Sequence, residues 1–398
     1  MQIHSIPAAS TLVLTLAAAL PATAIAQEKP STLYIDVATH HMPGMGGLGV
    51  LGRLGGAMGG GGATSYGMAQ SPGMPGKYMD VALHNARNPG VLADQAVPRG
   101  LGVGSSIELL PPPDSRNSSQ GESGGQGTPD LADGGKYRVL YFWGCGETAG
   151  ASQPREYSMT VRNGKLVQGG RGVTPRKVPG RTVVPGPEYV LWPNRSTRKA
   201  VPSKASLVGR HQVTGDKVPA SMGFELGEAH DFLPELKLKG GNGDKGMTLR
   251  WDGVEGARGY FAHATANNGD TIVLWSSSED GYAGQEMLTY LPETLVAQWT
   301  KQRTVLGPDT RECTIPKAVL TAAGSEPMVQ MIAYGNDRNV SEPRPDNASK
   351  GWRPAWSVRV RSKSTAMLMP GIAGAAKDSG KDAAKDVAKG LLRGLLGR

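Results

Sequence analysis

Leu249-Arg250-Trp251-Asp252-Gly253-Val254-Glu255-Gly256-Ala257-Arg258-Gly259-Tyr260 is the stretch that decides the fold class of this chain. Leu249 and Trp251 lie two positions apart, so in an extended strand they share one face. Asp252, Gly253 and Gly256 supply turn chemistry. Tyr260 then opens a second strand with its ring turned inward. One strand thus ends in a buried indole and the next begins with a buried phenol, which is the pattern of a β core.

The same period of two runs outward in both directions. Strands are expected over 260–264 and 271–275, with Asn267-Asn268-Gly269-Asp270 as the tight turn between them. Phe224, Leu226, Leu236 and Leu238 alternate before them, and strands over 314–320, 328–334 and 356–360 follow. Residues 292–302 are expected to be helical, because Pro292 suits a first helical position and Leu295, Val296 and Trp299 share a face. In the first half, strands are expected over 33–38, 79–83, 105–110, 137–143 and 157–161, with Asn163-Gly164 as a hairpin turn. Both faces of 137–143 are apolar, which places that strand inside a sheet. Tyr34-Ile35-Asp36-Val37-Ala38-Thr39-His40-His41 and Tyr78-Met79-Asp80-Val81-Ala82-Leu83-His84-Asn85 match at five of eight positions. Either a local duplication or two similar strand environments accounts for the match, and a single pair does not make a repeat architecture.

The expected fold class is therefore mainly β: two β-sandwich-like domains with long Gly/Pro-rich loops, a helical insertion in the second, and a C-terminal amphipathic helix. The expected divisions are a signal peptide over 1–26, an N-terminal β domain over 27–195, a second sandwich over 196–365 and a basic tail over 366–398. Inside the first domain, 42–76 is a low-complexity Gly/Met-rich loop and 114–135 a Ser/Gly/Asp-rich loop. In the tail, Lys377, Lys381, Lys385 and Lys389 recur every four residues, while Val387, Leu391, Leu392 and Leu395 share a face. That segment, 377–398, reads either as a peripheral membrane contact or as a short docked helix.

Leu249, Trp251, Ala257 and Tyr260 resemble the B–C hairpin of fibronectin type III domains. Val329-Gln330-Met331-Ile332-Ala333-Tyr334 looks like the F strand of such a domain, and Trp356-Ser357-Val358-Arg359-Val360 like its G strand. The segment 276–311 is an insertion relative to that pattern. The mature chain also resembles a family of exported proteobacterial proteins of uncharacterised activity. That likeness is carried by Tyr141-Phe142-Trp143-Gly144-Cys145-Gly146-Glu147, Ala205-Ser206-Leu207-Val208-Gly209, Leu274-Trp275-Ser276-Ser277-Ser278-Glu279 and Met331-Ile332-Ala333-Tyr334-Gly335. Together the resemblances imply an exported scaffold that binds or spaces rather than catalyses.

Export is also expected from the N-terminus. The apolar run over 11–20 is too short to span a bilayer, and Ala24-Ile25-Ala26 supplies a small-x-small cleavage pattern. The expected compartment is the periplasm or cell surface. Cys145 and Cys313 then form either one disulfide or two buried thiols. The chain carries a net +9, and residues 165–217 hold eleven Lys and Arg against Glu188 and Asp216. The whole excess of charge therefore sits in that segment, which reads either as a solvated connector and edge segment or as a polyanion contact. Outside the cytoplasm the partners would be anionic envelope lipid or polysaccharide, or an envelope protein, and not nucleic acid.

The residues offer little reactive chemistry. Gly44-Met45-Gly46-Gly47-Leu48-Gly49 fits G-x-G-x-x-G by chance in so Gly-rich a tract. No catalytic residue is expected. His40, His41, Met42 and Met45 form the one cluster with metal chemistry, since imidazole and thioether together suit copper. The leading expectation is a non-catalytic exported binding or structural protein of the cell envelope. The alternatives are a periplasmic copper-binding protein using that His/Met loop, and a hydrolase with a site between the domains.

Overall fold

A computed structural model describes residues 29–43, 65–70, 74–113, 134–163, 165–169, 176–180, 182–281 and 283–369. The expected signal peptide, most of the 42–76 and 114–135 loops and the helix of the tail lie outside these residues. The fold is mainly β. Its strands are β1 (Ser31–His41), β2 (Gly76–His84), β3 (Ala93–Ala96), β4 (Ser106–Leu109), β5 (Lys136–Trp143), β6 (Arg155–Arg162), β7 (Lys165–Gly169), β8 (Val190–Trp192) and β9 (Gly209–Gly215). They continue with β10 (Gly223–Leu226), β11 (Leu238–Gly243), β12 (Gly246–Trp251), β13 (Gly259–Asn268), β14 (Thr271–Ser276), β15 (Glu312–Pro316), β16 (Met328–Ser341) and β17 (Trp356–Leu368). Two short helices, α1 (Glu293–Lys301) and α2 (Lys317–Ala323), interrupt them. No described helix is long and apolar enough to cross a membrane.

Ten strands form one sheet in the order β7-β6-β5-β14-β13-β16-β17-β1-β2-β8. Two smaller sheets, β10-β9-β3-β4 and β11-β12-β15, accompany it. Each small sheet shares its own hydrophobic core with the large one. Leu33, Ile35 and Val37 of β1 join Val81, Leu83 and Val358 on one side, with Ile107, Val213 and Phe224 from the four-stranded sheet opposite. Trp275, Met331 and Val329 meet Leu249, Trp251 and Ile315 of the three-stranded sheet in the second core. Strand β17 serves both, through Val358 and Val360 in the first and Ala366 and Leu368 in the second.

The large sheet differs from the expected division at 195/196. Four strands from after that position, β14-β13-β16-β17, lie between two groups of three from before it, because β17 pairs in parallel with β1 and β14 in parallel with β5. In this segment the chain changes from one core to the other at Phe232 and Leu233. The expected tail also begins later than 366, because Ala366, Met367 and Leu368 are the buried end of β17.

The decisive stretch crosses between layers. Strand β12 pairs with β11 and β15, whereas β13 pairs with β14 and β16. Residues 252–258 therefore pass from one sheet to the other instead of closing a hairpin. Trp251 and Tyr260 meet across the core with ring centroids 5.5 Å apart, and the Tyr260 hydroxyl accepts the Val254 N–H. True hairpins close at Gly269, in the left-handed region with φ 58°, and at Asn163, with φ 52°. The strand expected over 314–320 ends at Pro316, and α2 takes over. A short apolar run carries no period long enough to separate strand from helix. Here Val319 and Ala323, four apart, bury one face of a helix that Gly324 ends in the left-handed conformation.

Candidate functional site

The face of β1, β2 and β17 that turns away from the first core is charged. Asp36, Asp80, Arg361 and Lys363 are all at most 2% exposed. Strand register explains the grouping: Asp36 lies opposite Asp80 on one side and beside Arg361 on the other. The matched segments of β1 and β2 pair about this point, so Tyr34 faces Ala82 and Tyr78 faces Ala38. A large ring thus opposes a small side chain on each side of the carboxylates.

The Arg361 guanidinium grips both oxygens of Asp36, with Nε 2.6 Å from Oδ1. The remaining contacts converge on one short turn, 65–70. Gln70 Nε2 donates to Asp36 at 2.9 Å, the Ala69 N–H donates to Asp80 at 3.1 Å, and Lys363 Nζ donates to the Gln70 carbonyl at 2.7 Å. The Tyr290 hydroxyl shares its one proton between the carbonyls of Val37 and Ala69, at 2.9 and 3.2 Å, while its ring lies under Arg361 and Lys363. The cluster therefore locks this end of the Gly/Met-rich loop onto the sheet.

Burial dominates the electrostatics. It pushes the Asp80 carboxyl up to about 8 against main-chain N–H groups that resist, with the negative charge of Asp36 adding to the rise. Burial and the neighbouring Arg361 bring Lys363 down to about 7, although Asp36 opposes. His40 falls to about 3, through burial and the nearby Lys363. Asp36 and Asp80 are a close carboxylate pair of the kind a hydrolase would use, but one is bound bidentately by Arg361 and turn 65–70 lies against both.

The two histidines of the set expected to suit copper are not brought together. His40 and His41 are consecutive in β1 and so point to opposite faces. His40 lies within the cluster, with Nδ1 2.7 Å from Thr365 Oγ1 and Nε2 3.1 Å from the Met68 carbonyl. His41 lies 3.6 Å from Glu235 on the other side. Met42 is buried, and Met45 lies outside the described residues. Among the described residues no group of three or more His, Cys, Asp or Glu is placed to hold a metal.

Cys145 and Cys313 form a disulfide, with Cα atoms 5.0 Å apart. It ties the end of β5 in the large sheet to β15 in the small one.

The basic segment is folded over its described residues 182–217. Strand β8 is an edge of the large sheet, β9 lies inside the four-stranded sheet, and Val201, Ala205 and Leu207 are buried in the first core. The cations Arg195, Arg198, Lys199, Lys204, Arg210 and Lys217 are left on the surface. Among the described residues none of the six has a carboxylate within ion-pair distance. Arg176 differs, since it pairs with Asp280 and lies over the Trp299 ring.

The ledge that carries Arg195, Arg198 and Lys199 is held by Asn194. Its Nδ2 donates to the carbonyls of Glu108 and Leu191, each at 2.7 Å, and its Oδ1 accepts the Ser196 N–H and hydroxyl. The Asn194 N–H donates to Thr197 Oγ1, and Arg198 Nη1 donates to the Arg195 carbonyl. A groove of about 320 Å³ runs between this ledge and β4, lined by Trp192, Ser196, Thr197, Arg198, Lys199 and Glu108 among others. Charge counting finds the cations, but Asn194 and Glu108 give no sequence signal because their roles depend on β4 meeting β8. No family model matches this chain, and no curated protein or solved structure matches it.

Proposed function

We propose that the protein is a non-catalytic binding protein of the cell envelope, exported to the periplasm or cell surface, and that it contacts anionic lipid or polysaccharide through its basic ledge. The observation that carries this reading is the set of six exposed cations between Arg195 and Lys217 with no carboxylate partner among the described residues, mounted on a folded segment. Uncompensated charge fixed on folded backbone holds a polyanion at less entropic expense than a mobile tail would. The Cys145–Cys313 disulfide supports an oxidising compartment. A fibronectin type III-like scaffold in the second half is supported by β11-β12-β15 lying opposite β14-β13-β16-β17. The insertion that bears α1 packs its own core on the outer face of those strands.

Sedimentation with lipopolysaccharide or anionic vesicles tests the reading. Full-length protein should be retained at low ionic strength and released as salt rises. A variant with Arg195, Arg198, Lys199, Lys204, Arg210 and Lys217 changed to Gln should lose most of that retention. Deleting 377–398 separately measures the contribution of the tail. Equal retention of wild type and Gln variant, or none by either, would overturn the proposal.

A further inference from the structure

We infer that the groove between β4 and the Asn194 ledge is a site for one phosphorylated sugar unit. The inference rests on the polyanion reading and names the unit that the ledge takes. Three features of the groove argue for it.

First, its charge is divided. Arg198 and Lys199 line one part, and the exposed carboxylate of Glu108 lines another without pairing to either. Two cations suit a phosphate, which prefers charge-assisted donors and planar Arg geometry in particular. A carboxylate in the same groove would repel a bare anion, but it accepts hydrogen bonds well from sugar hydroxyls or an amino group. The groove thus fits an anionic group joined to a donor-rich body better than it fits an inorganic anion.

Second, the walls match a sugar in size and character. About 320 Å³ is at the small end of ligand sites and suits a single ring with its substituent. Trp192, Val103 and Ile107 give the floor apolar surface, while Ser106, Ser196 and Thr197 give it hydroxyls.

Third, the ledge is built before any ligand arrives. Both amide hydrogens, the carbonyl oxygen and the main-chain N–H of Asn194 are all engaged within the protein. One bond reaches the Glu108 main chain, so the strand bearing the carboxylate and the loop bearing the cations are fixed to each other. Little ordering remains to be done on binding.

Titration calorimetry of the full chain with glucose 1-phosphate, inorganic phosphate and glucose tests this. Glucose 1-phosphate should bind at least tenfold more tightly than either of the others. R198Q with K199Q should weaken it at least tenfold, and K239Q with K350Q, at exposed lysines outside the groove and outside the basic segment, should leave it unchanged. E108Q should weaken glucose 1-phosphate several-fold without weakening inorganic phosphate. Equal affinity for inorganic phosphate, or indifference to R198Q with K199Q, would overturn the site. Its failure is distinguishable from failure of the wider reading. Polymer retention without glucose 1-phosphate binding sinks the groove alone, whereas glucose 1-phosphate binding without polymer retention upholds the groove and sinks the wider reading.

Discussion

Asp36 and Asp80 stand opposite each other on adjacent antiparallel strands, both buried, yet they are held in different ways. Asp36 is bound by a guanidinium, and Asp80 by the main chain of turn 65–70. Burial raises Asp80 to about 8, with the neighbouring charge of Asp36 adding to the rise. A folded-state value above the unfolded one means that stability is fully present below about 3.8 and is lost as pH rises toward 8. Asp80→Asn removes that loss and keeps an acceptor for the Ala69 N–H. The variant should match wild type near pH 4 and exceed it by about 1–3 kcal/mol at pH 8. Urea denaturation at pH 4, 6 and 8 measures this, and a pH-independent difference would refute it.

Arg361 and Asp36 are 325 residues apart in the chain and both desolvated. Removing one partner leaves a buried charge without its counterpart, whereas removing both leaves none. Arg361→Met should therefore destabilise by about 3–5 kcal/mol. Adding Asp36→Asn to it should recover at least half of that loss. A double variant no better than the single one would show that the pair is not the dominant local electrostatic interaction.

This cluster also marks where the sequence stops being legible. Strands β1, β5, β13 and β16 announce themselves because their core faces are apolar at a period of two. The sequence predicts a strand over 356–360, whereas β17 runs on through Arg361, Ser362, Lys363, Ser364 and Thr365 to Leu368. All five are buried. Arg361, Ser364 and Thr365 find partners on β1 and Lys363 on turn 65–70, at the far end of the chain, so nothing local reveals them. Strand β9 is hidden for a similar reason: His211 faces the interior and meets Gln95 of β3 at 3.1 Å, replacing an apolar signal with a polar pair. The one available hint was the presence of Asp36 and Asp80 inside otherwise apolar strands. The basic ledge was legible as charge but not as shape, because its groove requires β4 beside the 193–199 loop.

The Cys145–Cys313 bridge closes a loop of 168 residues between the two layers of the second core. In the chain-entropy model so long a loop contributes about 5 kcal/mol. Cys145→Ser with Cys313→Ser should lower the denaturation midpoint accordingly, and reductant should affect wild type but not the variant. A wild-type midpoint insensitive to reductant would contradict the assigned contribution.

Trp251 and Tyr260 anchor that core, so Trp251→Ala should destabilise by about 3–5 kcal/mol through loss of buried surface and the cavity left behind. Trp251→Phe should recover much of this, because the indole N–H has no acceptor among the described residues. If Phe is as damaging as Ala, packing volume is not what the indole supplies.

His40 sets the acid limit of the cluster. Its ring lies between Thr365 and the Met68 carbonyl, and burial with the nearby Lys363 lowers it from 6.5 to about 3. A folded value below the unfolded one means that stability is present above pH 6.5 and is lost as pH falls toward 3. Asp80 acts in the opposite sense over part of that range, so the wild-type profile alone does not isolate the histidine. The difference between wild type and His40→Gln does. Gln can still donate to the Met68 carbonyl and takes up no proton. The variant should be less stable than wild type at pH 7.5, and the gap should shrink steadily from pH 6.5 to pH 4. Hydrogen exchange at Met68 to Gln70, followed over the same range, should show the turn loosening in wild type before the variant. A gap that stays constant with pH would place the acid sensitivity elsewhere, with His263, buried and lowered to about 4 on β13, as the next group to replace.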